Sequence, residues 1–172
     1  SGRGEFVHVT TAGLEVGSGT ARFGFAPVGV VMAAPAGRSA SGAVCNFLFG
    51  ADPARHVRGA RVFATVEQPI AAGVDLVLRA AAPGQPAAFA YDLRFAPGAC
   101  VAAVEFVVTG ARALRIDAAS HELVLEGAHG ELRQSAPVAW LQDGERRTIV
   151  ACRFELRGAD RAIPGLGLRS FC

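Results

Sequence analysis

Nucleophilic catalysis needs a serine or cysteine beside a base and an orienting acid, and this sequence holds those residue types without a recognisable arrangement. Ser18 lies in Val16-Gly17-Ser18-Gly19, which does not match the Gly-x-Ser-x-Gly elbow that joins a strand to a helix. Cysteine–histidine pairs could be drawn from four residues of each type, but composition alone guarantees such pairs. We therefore assign no catalytic residue and keep a small hydrolase only as a remote alternative.

A metal site is conceivable around two histidines. His121 and His129 flank a short segment, and Asp117 or Glu131 could complete a ligand set across a turn. Histidines in tight turns between strands are also ordinary surface residues, and this interpretation is the simpler one. We expect no metal and no cofactor.

Carboxylates and a glycine-rich segment complete the candidates for chemistry. Asp75, Asp92, Asp117 and Glu122 could serve glycoside hydrolysis only if the fold set two of them across a cleft. The glycine-rich residues 13–19 are followed by alternating residues rather than a helix, so they lack the helix N-terminus that binds phosphate. A turn between strands explains this segment better, and we expect a binding or structural role.

Several polar and aromatic residues are candidates for binding. Asp52-Pro53 is a turn initiator whose carboxylate can accept backbone N–H bonds. Trp140 has Val138 as its neighbour on one strand face, which favours burial in the core over a ligand platform. The candidate ligand-binding residues are Asn46, Asp52, Asp75, Asp92 and Trp140.

The cysteines are Cys45, Cys100, Cys152 and Cys172, and no two of them form a Cys-x-x-Cys pair. A zinc site built from them would lack the usual short ligand spacing. Four cysteines allow three disulfide connectivities, and the sequence does not choose among them. Four thiols that pack as small hydrophobic residues remain the alternative.

Charge and hydropathy exclude several classes of protein. All 17 basic residues are arginine, 15 residues are acidic, and the formal net charge is +2, which is low for a dedicated nucleic-acid-binding domain. Arg55, Arg58 and Arg61 form one arginine cluster and Arg146 and Arg147 another, and both are interpreted as solvated faces. The apolar stretch 23–37 contains two prolines and is shorter than the ~20 residues of a membrane-spanning helix. Arginine without lysine, with abundant alanine and glycine, favours a GC-rich bacterial genome.

The pattern of residues predicts an all-β fold. Short apolar or alternating runs are separated by turn residues every ~8–12 positions, which is typical of antiparallel sandwiches. Asp143-Gly144 predicts a tight hairpin that joins Trp140 to Ile149, and residues 148–157 alternate so that Cys152 points inward. Short helical turns are conceivable at 71–72 and 80–82. The predicted strands cover 6–10, 14–16, 20–25, 28–32, 74–79, 89–95, 104–108, 114–117, 122–126, 131–141 and 148–157.

The segment 46–55, Asn-Phe-Leu-Phe-Gly-Ala-Asp-Pro-Ala-Arg, resembles the start of a known domain family. Residues 72–77, 91–92 with 96–98, 123–125, 130–134 and 137–140 continue the resemblance, which covers about 44–158. The family is an uncharacterised β-rich domain near the N-terminus of bacterial secreted surface proteins with SBBP-type, β-propeller-like repeats. Ala51, His56 and Ala72 depart from its usual Asn, Trp and Pro.

The resemblance implies an extracellular, non-catalytic module. We expect one antiparallel β-sandwich-like domain over 1–172, built from many short strands. The first five residues lack both an initiator Met and a signal-type apolar core, which favours a processed or excised chain. The expected role is a secreted or cell-surface structural or adhesion module of a larger bacterial protein, whose partners are that protein's other domains. The alternative is a glycan- or peptide-binding module that uses a sheet face or an edge strand.

Overall fold

The structure is a computed structural model that describes residues 6–80, 89–99, 104–157 and 165–167. In these residues the fold is all-β, as the sequence predicts, and every strand pairing is antiparallel. The one helical element of the described part is a three-residue 3-10 turn, Pro53–Arg55. Parallel pairing needs long crossover connections, whereas short turns such as those in this chain join antiparallel neighbours.

The largest sheet has six strands in the order β1-β2-β3-β8-β15-β14. Its first three strands form a meander, and the remaining three come from the second half of the chain. The strands are β1 (Phe6–Thr10), β2 (Gly13–Ser18), β3 (Ala21–Pro27), β8 (Glu105–Thr109), β14 (Glu155–Arg157) and β15 (Gly165–Gly167).

Three smaller sheets complete the fold. The four-stranded sheet runs β4-β5-β6-β7, and β4 and β5 are the longest strands of the chain. Its strands are β4 (Ala36–Phe47), β5 (Val57–Ala71), β6 (Val74–Ala80) and β7 (Phe89–Phe95). A three-stranded sheet contains β9 (Ala111–Ile116), β10 (Leu123–Gly127) and β11 (Gly130–Gln134), and a two-stranded sheet contains β12 (Ala139–Asp143) and β13 (Arg146–Val150).

Three of these sheets share a single hydrophobic core. Alternation directs Val74, Leu76 and Leu78 of β6 inward, where they meet residues of the six-stranded and three-stranded sheets. Residues of three sheets therefore enclose one core, as in a sandwich-like fold with a third sheet added. The buried cluster comprises Leu14, Ala21, Phe23, Met32, Ile70, Val74, Leu76, Leu78, Val104, Phe106, Val108, Leu123, Leu125 and Phe154.

Two polar contacts tie these layers together. The fully buried Gln68 of β5 donates from Nε2 to the carbonyls of Thr10 at 2.8 Å and Ala33 at 2.7 Å, so it joins the four-stranded sheet to β1 and to the loop after β3. Tyr91 of β7 accepts a hydrogen bond from Gln134 of β11. Burial raises the pKa of Tyr91 to about 12, because the phenolate would lose its hydration.

Some predicted elements differ from the observed ones. The predicted strand 131–141 is two strands, β11 and β12, separated by residues 135–138, where Pro137 cannot donate to a sheet. The predicted strand 148–157 is likewise divided, since 151–154 lie outside β13 and β14. Residues 28–32 form no strand, so that prediction is wrong. Ala71 ends β5 rather than lying in a helical turn, and residues 81–82 fall outside the described residues.

Candidate interaction surface

The residues proposed for metal binding serve the turn between β9 and β10. Asp117 Oδ1 accepts hydrogen bonds from the backbone N–H of Ala119 at 3.0 Å and of Ser120 at 2.9 Å. His121 closes this turn in the left-handed region, with φ of 58°. Over the described residues, no three His, Cys, Asp or Glu side chains are grouped so that they could hold a metal ion.

The Asp117 carboxylate is stabilised as an anion by its neighbours. The backbone N–H groups of Ser120 and Ala119 and the Ser120 hydroxyl lower the pKa of Asp117 to about 2, and Arg115 adds a favourable charge. Glu122 and Glu131 are both bound by Arg133, at 3.2 and 2.7 Å. These contacts of the three acids stabilise the β9–β11 region.

Asp75 and Asp92 lie on the outer face of the four-stranded sheet. Asp75 is paired in register with Arg94, and Asp92 forms an ion pair with Arg79. On the same face, Glu67 accepts from Arg38 at 2.9 Å and Arg94 at 3.1 Å, and these arginines lower the pKa of Glu67. Because its charges are matched, this face gives the fold a polar exterior rather than a catalytic pair.

Asn46 and Asp52 support the backbone of the loop region that follows β4. Asn46 Oδ1 accepts from the Gly59 N–H at 2.9 Å and so links β4 to β5. Asp52 caps the 3-10 turn by accepting from the Ala54 N–H at 2.9 Å, as predicted for a turn initiator. Asn46 is exposed rather than part of a buried network. The five candidate binding residues lie on separate elements, and the structure does not gather them into one site.

The predicted hairpin between Trp140 and Ile149 is present, but its environment is not the predicted one. Trp140 pairs directly with Ile149, and Gly144 takes a φ of 57° in the connecting turn. Trp140 is 38% exposed and Ile149 is 72% exposed, so the prediction that Trp140 is a core residue is wrong. The guanidinium of Arg147 lies 5.1 Å from the centroid of the Trp140 ring. Alternation predicted which residues share a face, but not whether the rest of the chain would cover that face.

Two of the four cysteines lie in the described part of the chain. Cys45, on β4, and Cys152, between β13 and β14, are both free thiols. Cys45 is exposed, whereas Cys152 is half-buried. Burial raises the pKa of the Cys152 thiol, which reduces its thiolate fraction and its nucleophilicity. Cys100 and Cys172 lie outside the described residues.

Among the described residues, no hydrogen bond joins a serine or cysteine side chain to a histidine ring. The hydroxyl of Ser120 donates to Asp117, and Nε2 of His56 contacts the carbonyl of Gly50.

An apolar groove of about 260 Å³ lies between β1 and the four-stranded sheet. Its lining residues are mostly apolar and include Phe6, Phe63 and Phe89. Pockets for drug-sized ligands measure roughly 300–1,000 Å³. The groove therefore suits one or two side chains, or one sugar ring, better than a large cofactor.

The longest hairpin extends beyond its sheet as a two-stranded arm, defined here as residues 40–64. The strand β6 pairs with β5 only from Thr65 onward, so the arm has no third strand. None of its residues is buried. Phe47, Leu48 and Phe49 are 48%, 56% and 54% exposed, and the rings of Phe47 and Phe49 stack with centroids 6.2 Å apart.

The sequence of the arm carries no periodic pattern that marks it as a surface. Residues 36–47 contain Ala, Gly and Ser in place of an alternating pattern, so the strand β4 gave no periodic signal. One feature of the sequence does indicate an exposed surface here. It is the apolar run Phe47-Leu48-Phe49, which stands next to the turn residues Gly50 and Asp52-Pro53. A run of exposed apolar residues in a turn lowers solubility, so such a run is expected to serve a function.

The comparison with family models assigns the chain to a family. A model described as a domain of unknown function, DUF7948, matches residues 22–168. The chain belongs to the DUF7948 family. This family match covers the arm, the groove residues from Phe63 onward and the 139–150 hairpin. It begins before and ends after the region in which the sequence resemblance was seen. No curated protein and no solved structure matches the chain.

The description of the family gives no activity, and the match assigns none to the chain. In the residues that the structure describes, no helix is long and apolar enough to span a membrane.

Proposed function

We propose that this DUF7948 domain is a non-catalytic structural or adhesion module of a larger bacterial protein, exported to the cell surface. The observation that carries the proposal is the apolar surface of the arm. A two-stranded hairpin alone is only marginally stable in water, and contiguous exposed apolar groups mark interaction sites. In this role, the arm packs against another domain of the same protein or of a neighbouring one.

The 139–150 hairpin supports the same role. Its strands β12 and β13 form a sheet of their own, and Leu141 and Ile149 are largely exposed. A module that contacts neighbours through two projecting hairpins fits this distribution of apolar residues. The body provides the support, because most of the buried residues lie in the three sheets around the core.

Cys45 offers a direct test, since it is a natural exposed thiol on the arm. Intact cells that make the native protein are treated with a membrane-impermeant maleimide, and labelling at Cys45 is followed by peptide mass spectrometry. The matched control is Ala118→Cys in a Cys45→Ser background, because Ala118 lies in an exposed turn outside both hairpins. We expect the control site to label on intact cells and Cys45 to label at least about tenfold more slowly than in the purified domain.

The two parts of the proposal fail differently in this experiment. If neither site labels on intact cells but both label after lysis, the surface location is wrong. If Cys45 labels on cells as quickly as the control site, the arm is uncovered and the interaction role is wrong.

A second candidate function is glycan or peptide binding in the groove. Phe6 of the edge strand β1 lines the groove together with Phe63 and Phe89, and an apolar groove beside an edge strand can accept a sugar face or an extended peptide. A glycan array and a peptide array would identify ligands. The substitution Ala64→Trp, which fills the groove, should abolish their binding. Ligands that bind this variant equally well would exclude the groove.

A further inference from the structure

The arginines of the molecule fall into two groups. Among the arginines that the structure describes, seven form ion pairs with carboxylates, namely Arg22, Arg38, Arg79, Arg94, Arg115, Arg133 and Arg153. Within the described residues, Arg55, Arg58 and Arg61 of the arm have no carboxylate at ion-pair distance. The only acid in the arm, Asp52, already caps the 3-10 turn. The arm thus carries three arginines against one acid.

The unpaired arginines are interspersed with the exposed apolar residues. Val44 lies directly across from Arg61 in the strand register, so the two share one face. The guanidinium of Arg61 lies 5.5 Å from the centroid of the Phe63 ring. Arg58 follows Val57, which is paired with Phe47, and Arg55 lies in the 3-10 turn at the end of the same hairpin. A partner must therefore match apolar and cationic groups within the same surface.

We propose that the arm binds an acidic amphipathic protein segment, in which apolar side chains are flanked by carboxylates. Guanidinium groups bind carboxylates in a bidentate manner, and complementary charges around an apolar centre determine which partner is accepted. This proposal rests on the interaction role proposed above and specifies the chemistry of the partner.

The residues of the arm favour a protein over a nucleic acid as the partner. Nucleic-acid surfaces combine a basic track with several aromatic platforms, and their affinity depends on many phosphate contacts. The arm supplies three arginines, and its aliphatic groups Val44, Leu48 and Val57 are about half exposed or more. Aliphatic groups gain from contact with apolar side chains and have no comparable contact with phosphates.

The test uses three synthetic peptides with the purified domain. One peptide is rich in Leu, Phe and Glu, and the other two carry Gln or Lys in place of Glu. Binding is measured by fluorescence anisotropy at two salt concentrations. We expect the Glu peptide to bind at least about tenfold more tightly than the others, with weaker binding at high salt.

Charge reversal provides the decisive comparison. The triple variant Arg55→Glu, Arg58→Glu, Arg61→Glu should prefer the Lys peptide, whereas a uniform loss of binding would indicate a folding defect visible by circular dichroism. The matched control is the single reversal Arg112→Glu, compared with the single reversal Arg61→Glu, because Arg112 is exposed, lies outside both hairpins and has no carboxylate partner among the described residues. This control should keep the preference for the Glu peptide.

Other results would overturn the proposal. Equal binding of the Glu and Lys peptides, or the same preference in the arm variant, excludes charge recognition by the arm. Tighter binding of single-stranded DNA than of the Glu peptide, lost in the arm variant, would identify a polyanion as the partner. The same result with anionic vesicles would identify a membrane. Self-association that the arm variant abolishes, measured by sedimentation velocity, would identify a second copy. Each of these can occur while Cys45 stays protected on cells, so the proposed function would survive.

Discussion

At the scale of single residues, Gln68 joins elements that are far apart in the sequence. Replacing it with Leu keeps its volume but leaves the Thr10 and Ala33 carbonyls without their donor. We expect the free energy of unfolding to fall by about 1–3 kcal/mol, measured by urea denaturation. The control Gln142→Leu removes two exposed hydrogen bonds, one to the Gly144 carbonyl and one from Arg147, and should change this free energy by less than about 0.5 kcal/mol. Equal effects of the two substitutions would contradict this account of Gln68.

Asp117 makes stability depend on acid pH. Its pKa is about 2 in the fold against 3.8 as a free group, so its contribution is present above about pH 4 and is lost as the pH falls toward 2. Asp117→Asn removes the charge that the turn stabilises. We expect the difference in Tm between the native chain and this variant to shrink as the pH falls from about 5 to about 2. A difference that stays constant with pH would mean that packing, rather than charge, makes Asp117 important.

Tyr91 has the opposite dependence, at alkaline pH. Its pKa rises from 10.0 to about 12, so its neutral form contributes stability below about pH 10 that is lost as the pH rises toward 12. The chain has no lysine to titrate in this range. We expect the tyrosinate absorbance of the folded chain to rise only near pH 12, or together with unfolding. The variant Tyr91→Phe should give no such signal, and ionisation near pH 10 in the folded chain would show that the ring is hydrated.

At the scale of elements, the arm and the core strands differ in what their side chains contribute to stability. Replacing Phe47, Leu48 and Phe49 together by Ser removes exposed groups, and we expect a loss below about 1 kcal/mol. Leu76→Ala in β6 opens a cavity in the core and should cost about 2–5 kcal/mol. Both values come from urea denaturation. A large loss in the arm variant would mean that the arm packs on the body.

The same contrast explains which elements the sequence could predict. The strands β1, β6 and β7 have apolar faces that the core covers, so their residues alternate and their bounds were predicted closely. In the arm, the strands β4 and β5 are held mainly by backbone pairing. Their residues need not alternate, because no core covers either face. Asp143-Gly144 predicted its turn because only local backbone geometry was needed. Whether Trp140 is buried depends on elements that are distant in the sequence, and a local pattern carries no information about them.

At the scale of the whole molecule, the shared core implies cooperative unfolding. Phe23, Leu76 and Leu123 belong to three different sheets and to one buried cluster. We expect circular dichroism and tyrosine fluorescence to follow a single coincident denaturation curve. Hydrogen exchange in the arm should be much faster than in β6, because the arm has no buried residues. Separate transitions for the two probes would mean that the sheets fold independently.

The positions of the single tryptophan and the single tyrosine give the chain two separate optical reporters. Trp140 lies exposed on the 139–150 hairpin beneath Arg147, whereas Tyr91 packs against the core. Docking of the hairpin would shift tryptophan emission to shorter wavelength while tyrosine emission stays constant, and loss of the core would change both. The native chain, without any attached dye, can therefore distinguish binding from unfolding in one emission spectrum.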